Sequence, residues 1–438
     1  MPLDMRGLYL TGADDHTAAA VRQFQHACLG YHDNEHEIVA LAEAVPDCPL
    51  VQIYAAWLAL RTGSARQIAT LARPLVDLAR LVPHVTERER WLIEAADAWA
   101  RCAFGEALLR LESVVERWPE DLIALRFAHT LFAHAPDDVR QLRMMGRARV
   151  MNEEQAPFLA LLADAQAQQG ATAVARETAE RALALDLDTP WAHFVLGACH
   201  IAGGTIADGL RLFDTVAPTW DGHNTVLRTH NVWMNALLHL TRLDVPAAMA
   251  LYHRALAIVD PRTPRALTDA ISILWRVELV SAPLDPTFWT GLAASAAEHA
   301  GEAVNPFLNA HFLYALVRGG RKAEADEALR LMSAAAVRSE RWQIGLQLGQ
   351  GAAAMAAQDA AGAVAALTPI AGRLREAGGS RIENNLFRLT LVAALAMSGQ
   401  RTAAGEALLA VSGARPPTPF EKALTAPAEI APVDLALA

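Results

Sequence analysis

Residues Trp233–Pro264, WMNALLHLTRLDVPAAMALYHRALAIVDPRTP, decide how the chain is read. On both sides of Asp244, apolar side chains recur at spacings of three and four. That spacing gives a helix one apolar face. Asp244 marks a turn between two such helices, and Asp260-Pro261 closes the second. A helix, a short turn and a second helix make a hairpin, which cannot bury its own apolar face without a neighbour.

The unit recurs. WLIEAADAWARCAFGEALLRLESVVERWPEDLIALRFA turns at Gly105 and closes at Pro119. FLALLADAQAQQGATAVARETAERALALDLDTPWAHF turns at Gly170, and HFVLGACHIAGGTIADGLRLFDTVAPTW turns at Gly203–Gly204. After a less regular middle (Ala266–Gly301) the pattern resumes, with turns at Gly319–Gly320, near Asp359 and at Gly399. Turn positions fall 34 to 42 residues apart: 63 to 105, 170 to 204, 204 to 244, 320 to 359 and 359 to 399. That period belongs to helical-hairpin solenoids, whose units stack on one another. No run alternates Val, Ile and Thr between Asn-Gly turns.

The expected fold class is therefore all-α, a helical-hairpin solenoid wound as a curved right-handed superhelix; a bundle of unrelated helices is the alternative. The organisation expected is one helical-repeat domain over 1–438. It divides into irregular N-terminal hairpins (15–82), repeat-like hairpins (90–262), a helical insert (264–300), C-terminal hairpins (305–412) and a tail (413–438), light in helix signals from Leu424.

Hydrophobic residues make up 53% and charged residues 20%, the balance of a folded chain. Lys+Arg is 38 against Asp+Glu 48, for a net charge of -10, and the arginines are scattered among acids. Nothing in that distribution recommends nucleic acid as a partner. Charges and prolines interrupt every apolar stretch before about 18 residues, so no membrane span is expected. The start, MPLDMRGLYLTGADD, has no basic region followed by an apolar run. Cys28, Cys48, Cys102 and Cys199 stand far apart with no CxxC, which suits a reducing compartment. Cytoplasmic localisation follows as the expectation.

Candidate chemistry begins in THNVWMNALLH, Thr229–His239. Asn231, Asn235 and His239 recur every four residues along one helical face, while His230, Trp233 and Leu237 share another. A polar stripe on an apolar helix must hydrogen-bond somewhere, in a groove or in a buried network. In LTDAISILWRVEL, Asp269, Ser272 and Arg276 form a second stripe, suited to a ligand's amine or carboxylate or to a salt-bridged seam. NPFLNAHFLYAL contributes Asn305, Asn309 and His311, and LRFAHTLFAH contributes His129 and His134.

His193 and His200 lie seven apart, two helical turns. A zinc site needs three or four converging ligands, and neither HExxH nor an acidic cluster is present, so no metal and no cofactor are expected. Gly378-Gly379-Ser380 breaks the chain and caps the helix that displays Glu383, Asn384 and Asn385, with no GKS/T behind it to cradle phosphate.

Most of these polar residues sit in the first helix of a hairpin, which lines the concave face of a curved solenoid. The expected partner is a small molecule or a peptide or protein segment, with His129, Asn231, Trp233, Asn235, His239 and Arg276 as ligand-binding residues. The alternative is an enzyme acting on a small molecule. In it His230 or His311 is the general acid or base, Asp269 orients the imidazole, and Arg276 with Asn231 holds an anionic group. A third possibility is a purely structural repeat.

Across roughly Thr17 to Ala426 the chain resembles the tetratricopeptide repeat protein 38 family. Thr86, Arg88, Glu89, Ala95, Pro119, Asp121, Ala124, Leu125 and His129 follow its first motif. Trp220, His230, Asn231, Trp233, Ala236 and Leu237 follow its W…HN-x-W-H-W-A-L element, and Asp269, Ser272, Leu274 and Arg276 its D-x-x-S-x-L-x-R. Phe307, Ala310 and His311 match a further element, and Gly378, Gly379, Ser380 and Phe387 part of GGS-x-A-Q-R-D-x-F.

The resemblance implies a tetratricopeptide-like helical fold and no particular reaction. Departures are Met234 and Asn235 in place of His and Trp, and Phe194 and Ala198 in place of two histidines. Glu383, Asn384 and Asn385 stand in place of Gln-Arg-Asp. They point to an altered pocket or to lost ancestral chemistry.

Overall fold

A computed structural model describes residues 2–257, 263–300 and 305–426. Among these the structure is helical throughout, with two isolated backbone bridges and no extended strand. No described helix is long and apolar enough to cross a membrane. Contacts divide the chain into two compact units, Met1–Cys199 with Val216–Arg228, and His200–Thr215 with Thr229–Ala438.

Antiparallel hairpins build each unit. In the first unit Glu87–Ala100 pairs with Phe104–Arg117, Leu122–His134 with Asp138–Asn152, and Ala156–Gln168 with Thr172–Leu185. In the second, Pro264–Val280 pairs with Thr287–His299, Pro306–Arg318 with Lys322–Ala336, Glu340–Ala356 with Ala360–Leu367, and Arg381–Met397 with Arg401–Ser412. The region 264–300, read as a less regular insert, is thus a hairpin like its neighbours.

The two helices of a hairpin are buried differently, and composition explains why. Pro306–Arg318 buries every side chain from Pro306 to Leu316, whereas Lys322–Ala336 buries only Ala325, Ala328, Met332 and Ala336. A helix apolar all round lies inside; one with a single stripe faces water on its other side. Small residues let the inner helices approach closely: a Cβ on Gly345 would stand 2.1 Å from the Cβ of Pro306. On Pro264–Val280 and Pro306–Arg318 a polar side chain is therefore buried on nearly every side.

Seven hairpin turns share one backbone device. A residue in the left-handed region follows the first helix at Cys102, Gly170, Gly204, Leu243, Gly320, Gln358 and Gly399. In each, the next N–H bonds back five residues, as Ala171 does to Gln166, Asp244 to His239 and Gln400 to Leu395. This is the Schellman closure, which satisfies the helix's last carbonyls and reverses the chain. Neighbouring closures recur at 34 to 41 residues, from 170 to 204 and from 358 to 399.

The sequence reading put three of these turns slightly off. Cys102 takes the left-handed position, while Gly105 lies inside the helix Phe104–Arg117. Leu243 and Gln358 do the same, and the following Asp244 and Asp359 cap the next helix by accepting from the Ala247 and Gly362 N–H groups. The expected Asp260-Pro261 boundary lies outside the described residues. In the tail, Pro419–Ala423 is a short helix with a Thr418/Glu421 capping box; positions from 427 onward lie outside the described residues.

Candidate functional site

One helical face organises the second unit's polar cluster. On Pro264–Val280, Arg265, Asp269, Ser272 and Arg276 follow at spacings of four, three and four, which aligns them along the axis. Opposite them come His230 and Trp233 from Thr225–Thr241, His311 from Pro306–Arg318 and Glu383 from the first turn of Arg381–Met397. His230, Trp233, Asp269, Ser272, Arg276, His311 and Glu383 are each at most 5% exposed, so four helices converge on a desolvated set of ionisable groups.

His230 Nδ1 donates to Asp269, 3.1 Å from both carboxylate oxygens. Its ring stacks on Trp233, with centroids 5.1 Å apart and planes 2° from parallel. Trp233 Nε1 donates to Ser272 Oγ at 2.7 Å, and Arg276 donates to the same oxygen at 2.7 Å and to the Ser272 carbonyl at 3.2 Å. No carboxylate bonds Arg276 among the described residues. Burial pulls its guanidinium down to about 9, against the opposing pull of Glu383 and Asp269.

Glu383 shows the opposite balance. Burial would raise its carboxyl, but Arg265, His230 and the Ser380 N–H outweigh that and hold it at about 2. Arg265 pairs with Glu383, and Ser380 N–H donates to the other oxygen at 2.6 Å.

His311 is caged by Phe307, Trp275 and Phe387. Its Nδ1 donates to the Phe307 carbonyl at 2.9 Å, and burial pushes its pKa down to about 4, leaving a neutral ring. Behind it, Gly378 and Gly379 adopt φ of 119° and 76°, and a Cβ on Gly379 would stand 2.6 Å from the Phe307 ring. The glycine pair thus serves close packing and the Ser380 cap.

His230, Asp269 and Glu383 bring three potential ligand atoms within 4.8 Å of one another. Their chemistry does not suit a divalent cation. The imidazole N–H occupies Asp269, Arg265 and the Ser380 N–H occupy Glu383, and two guanidiniums already balance the two carboxylates.

The other expected residues lie elsewhere. Asn231 is fully buried in the same helix as His230. Asn235 is half-buried further along, and His239, at the helix end, faces Asp244 at 3.4 Å. His129 belongs to the first unit, where its Nε2 donates to Asp164 at 2.8 Å and its ring meets the edge of Trp191. His193 donates to the Leu187 carbonyl and accepts from Trp220 Nε1, which makes it structural, and burial drives its pKa down to about 4.

Thr86, Arg88, Glu89 and Asp121 also have structural roles. Thr86 and Glu89 form a capping box, and Arg88 bridges Asp121 at 2.7 Å and Asp4 at 2.8 Å. A 540 Å3 cavity in the first unit holds none of the candidate residues. Its charges pair among themselves, as Arg80 with Asp97, Arg110 with Glu94 and Arg101 with Glu106.

Sequence reasoning missed Arg265 and Glu383 as members of the cluster. Arg265 lies on the same stripe as Asp269, four residues earlier, and that spacing was available. Glu383 was hidden because Ser380-x-x-Glu383 already reads as a capping box.

No family model matches the chain. Among solved structures, it is similar to that titled "Crystal Structure of P58(IPK) TPR Domain", at 10% identity over 78% of this chain and 96% of that one, with a TM-score of 0.22. It is also similar to "Structure of Naa15/Naa10 bound to HypK-THB", at 14% identity over 94% of this chain and 69% of that one, with a TM-score of 0.24. The described residues are all-helical and arranged as hairpins, five of the seven named above closed at a left-handed residue.

Proposed function

We propose that the second unit's polar cluster is the binding site of a helical-repeat protein for a small polar molecule or a peptide group. The observation that carries this is the convergence of Asp269, Arg276, His230 and Glu383 from three helices, all desolvated. Hairpin stacking needs no ions, and each buried charge costs several kcal/mol before its partners offset that. Arg276, whose hydrogen-bond acceptor among the described residues is Ser272, is the group in the cluster best placed to meet a ligand.

The residue-level resemblance to the tetratricopeptide repeat protein 38 family is part of this reading, with His230, Asn231 and Trp233 as the shared feature. Four free thiols suit a reducing, cytoplasmic setting.

A second reading, an enzyme acting on a small molecule, rests on His230 and Asp269. A carboxylate that holds Nδ1–H fixes the imidazole's tautomer and turns its other nitrogen into the base. Ser272 and Arg276 would then face developing negative charge.

Native mass spectrometry of the full chain after incubation with cell extract tests the binding reading. The expected result is a retained compound that is lost in His230→Ala and in Arg276→Ala. Equal retention in wild type and both variants would overturn it. Conversion of the retained compound by wild type but not by His230→Asn would favour the enzyme.

A further inference from the structure

Three imidazoles stack in a row in the first unit. His26, exposed on the helix Asp15–Gly30, lies on His32, with ring centroids 5.4 Å apart and planes 11° from parallel. His32, half-buried, lies in turn on His223 at 5.4 Å and 15°. His223 is 1% exposed, so the row runs from solvent into the interior. Gly30 makes room for it: a Cβ there would stand 2.4 Å from His32 Nε2.

The row sits where one helix is fastened. His32 and His223 form an isolated antiparallel backbone bridge, and the Asn224 N–H donates to the Tyr31 carbonyl at 2.6 Å. Asn224 then caps Thr225–Thr241. Its side-chain oxygen accepts from the Leu227 N–H at 3.0 Å, and its side-chain nitrogen donates to Glu35 at 2.9 Å. The helix held in this way bears His230.

His223 suits this place as a neutral ring and not as a cation. Its Nε2 stands 3.1 Å from Asp188 Oδ1, and its buried Nδ1 has no hydrogen-bond partner among the described residues. A neutral imidazole carries one N–H, which belongs on the Asp188 side, whereas imidazolium carries two. The second, on Nδ1, would be a buried donor with no acceptor. Other titratable groups that act on His223 are His32 and Asp33, after the first helix, and His193 from Pro190–Gly203. Burial pulls its pKa below the ordinary 6.5 against the opposing pull of Asp188; His32 adds to the fall, and Asp33 opposes it.

We propose that the stack of His26, His32 and His223 is a proton-sensitive latch. Neutral, it holds Asn224 and the first turn of Thr225–Thr241 against the end of Asp15–Gly30; protonation of His223 opens it. The opened form takes up the proton more readily than the closed one. The latch is therefore fully closed above pH 6.5 and is lost as pH falls below that value. Such an opening is local, with the rest of the unit folded. It does not depend on whether the second unit's cluster binds a ligand.

Amide hydrogen exchange of the full chain, corrected for intrinsic rates and read at the Asn224 and Leu227 N–H groups, tests the latch. The Ala171 N–H, which closes a turn in the same unit, reports unfolding as a whole. Protection at Asn224 and Leu227 should fall about tenfold per pH unit below 6.5, the slope for one proton taken up on opening, while Ala171 changes less. His223→Gln keeps a planar polar side chain that does not titrate, and removes that slope. Asp188→Asn, at an exposed position, takes away the charge that favours a closed cation. Its protection therefore goes on falling to lower pH than that of wild type, and it decides the matter if His223→Gln fails to fold. Equal slopes at Asn224 and Ala171, a slope that survives His223→Gln, or a plateau unmoved in Asp188→Asn would overturn the latch.

Discussion

His230 Nδ1 stands 3.1 Å from both oxygens of Asp269, a residue 39 positions later in the chain. Asp269 also supplies negative charge that Arg265 and Arg276 both feel. Its carboxylate is thus a hydrogen-bond acceptor for one neighbour and a counter-charge for two. Asp269→Asn keeps an acceptor and loses the charge, whereas Asp269→Ala loses both. Asp269→Ala is expected to lower stability by about 3–5 kcal/mol, the range for breaking a buried ion cluster, and Asp269→Asn by less. Urea unfolding with unchanged m-values measures the difference. Equal losses would show that charge alone matters at this position.

Acid should weaken the fold in two successive steps. His311 and His193 have folded pKa values near 4 against an ordinary 6.5, set by burial. The unfolded chain therefore takes up protons first as pH falls. The stability these residues contribute is complete above pH 6.5 and is lost between 6.5 and 4. Glu383, held near 2 against an ordinary 4.5, contributes stability that is complete above 4.5 and lost as pH falls towards 2. Each group is worth about 3 kcal/mol at most. Unfolding midpoints measured from pH 8 to pH 2 should fall in both windows. His311→Asn should flatten the upper one and Glu383→Gln the lower.

Period and fold class were legible because the Schellman closure prefers glycine, and Gly170, Gly204, Gly320 and Gly399 mark it openly. Cys102 hides the same closure behind an ordinary side chain, which shifted that turn onto Gly105. The candidate cluster was legible where polar residues broke an apolar helix, as His230, Asp269, Arg276 and His311 do. Glu383 satisfied a local rule for helix starts, so its second role, facing Arg265 across 118 residues, left no local trace. Long-range pairing of charges is set by how hairpins stack, and no single hairpin encodes it.

The turn device makes its own prediction. Leu243, Gln358 and Cys102 hold positive φ at exposed positions, where a side chain gains little from packing. Gln358→Gly and Leu243→Gly should each stabilise the protein by about 1 kcal/mol by removing Cβ strain. Gly320→Ala and Gly399→Ala should each cost about 1–2 kcal/mol, because open space around both leaves backbone strain as the whole effect. Thermal melting of the four variants tests the sign at each turn. A stabilising Gly320→Ala would contradict the shared closure.

Arg88 offers the clearest separation of structure from function. Its guanidinium, 3% exposed, joins Asp121, the cap of Leu122–His134, to Asp4 near the N-terminus. Arg88→Met leaves two buried carboxylates unpaired and should cost about 3–5 kcal/mol. Adding Asp4→Asn and Asp121→Asn removes the stranded charges, so the triple variant should recover part of that loss. Asp121→Asn keeps an acceptor for the Ala124 N–H, so the helix cap survives. Calorimetry of the single and triple variants measures the recovery. If Arg88 serves the fold alone, the triple variant also keeps the ligand retention of wild type, which His230→Ala loses.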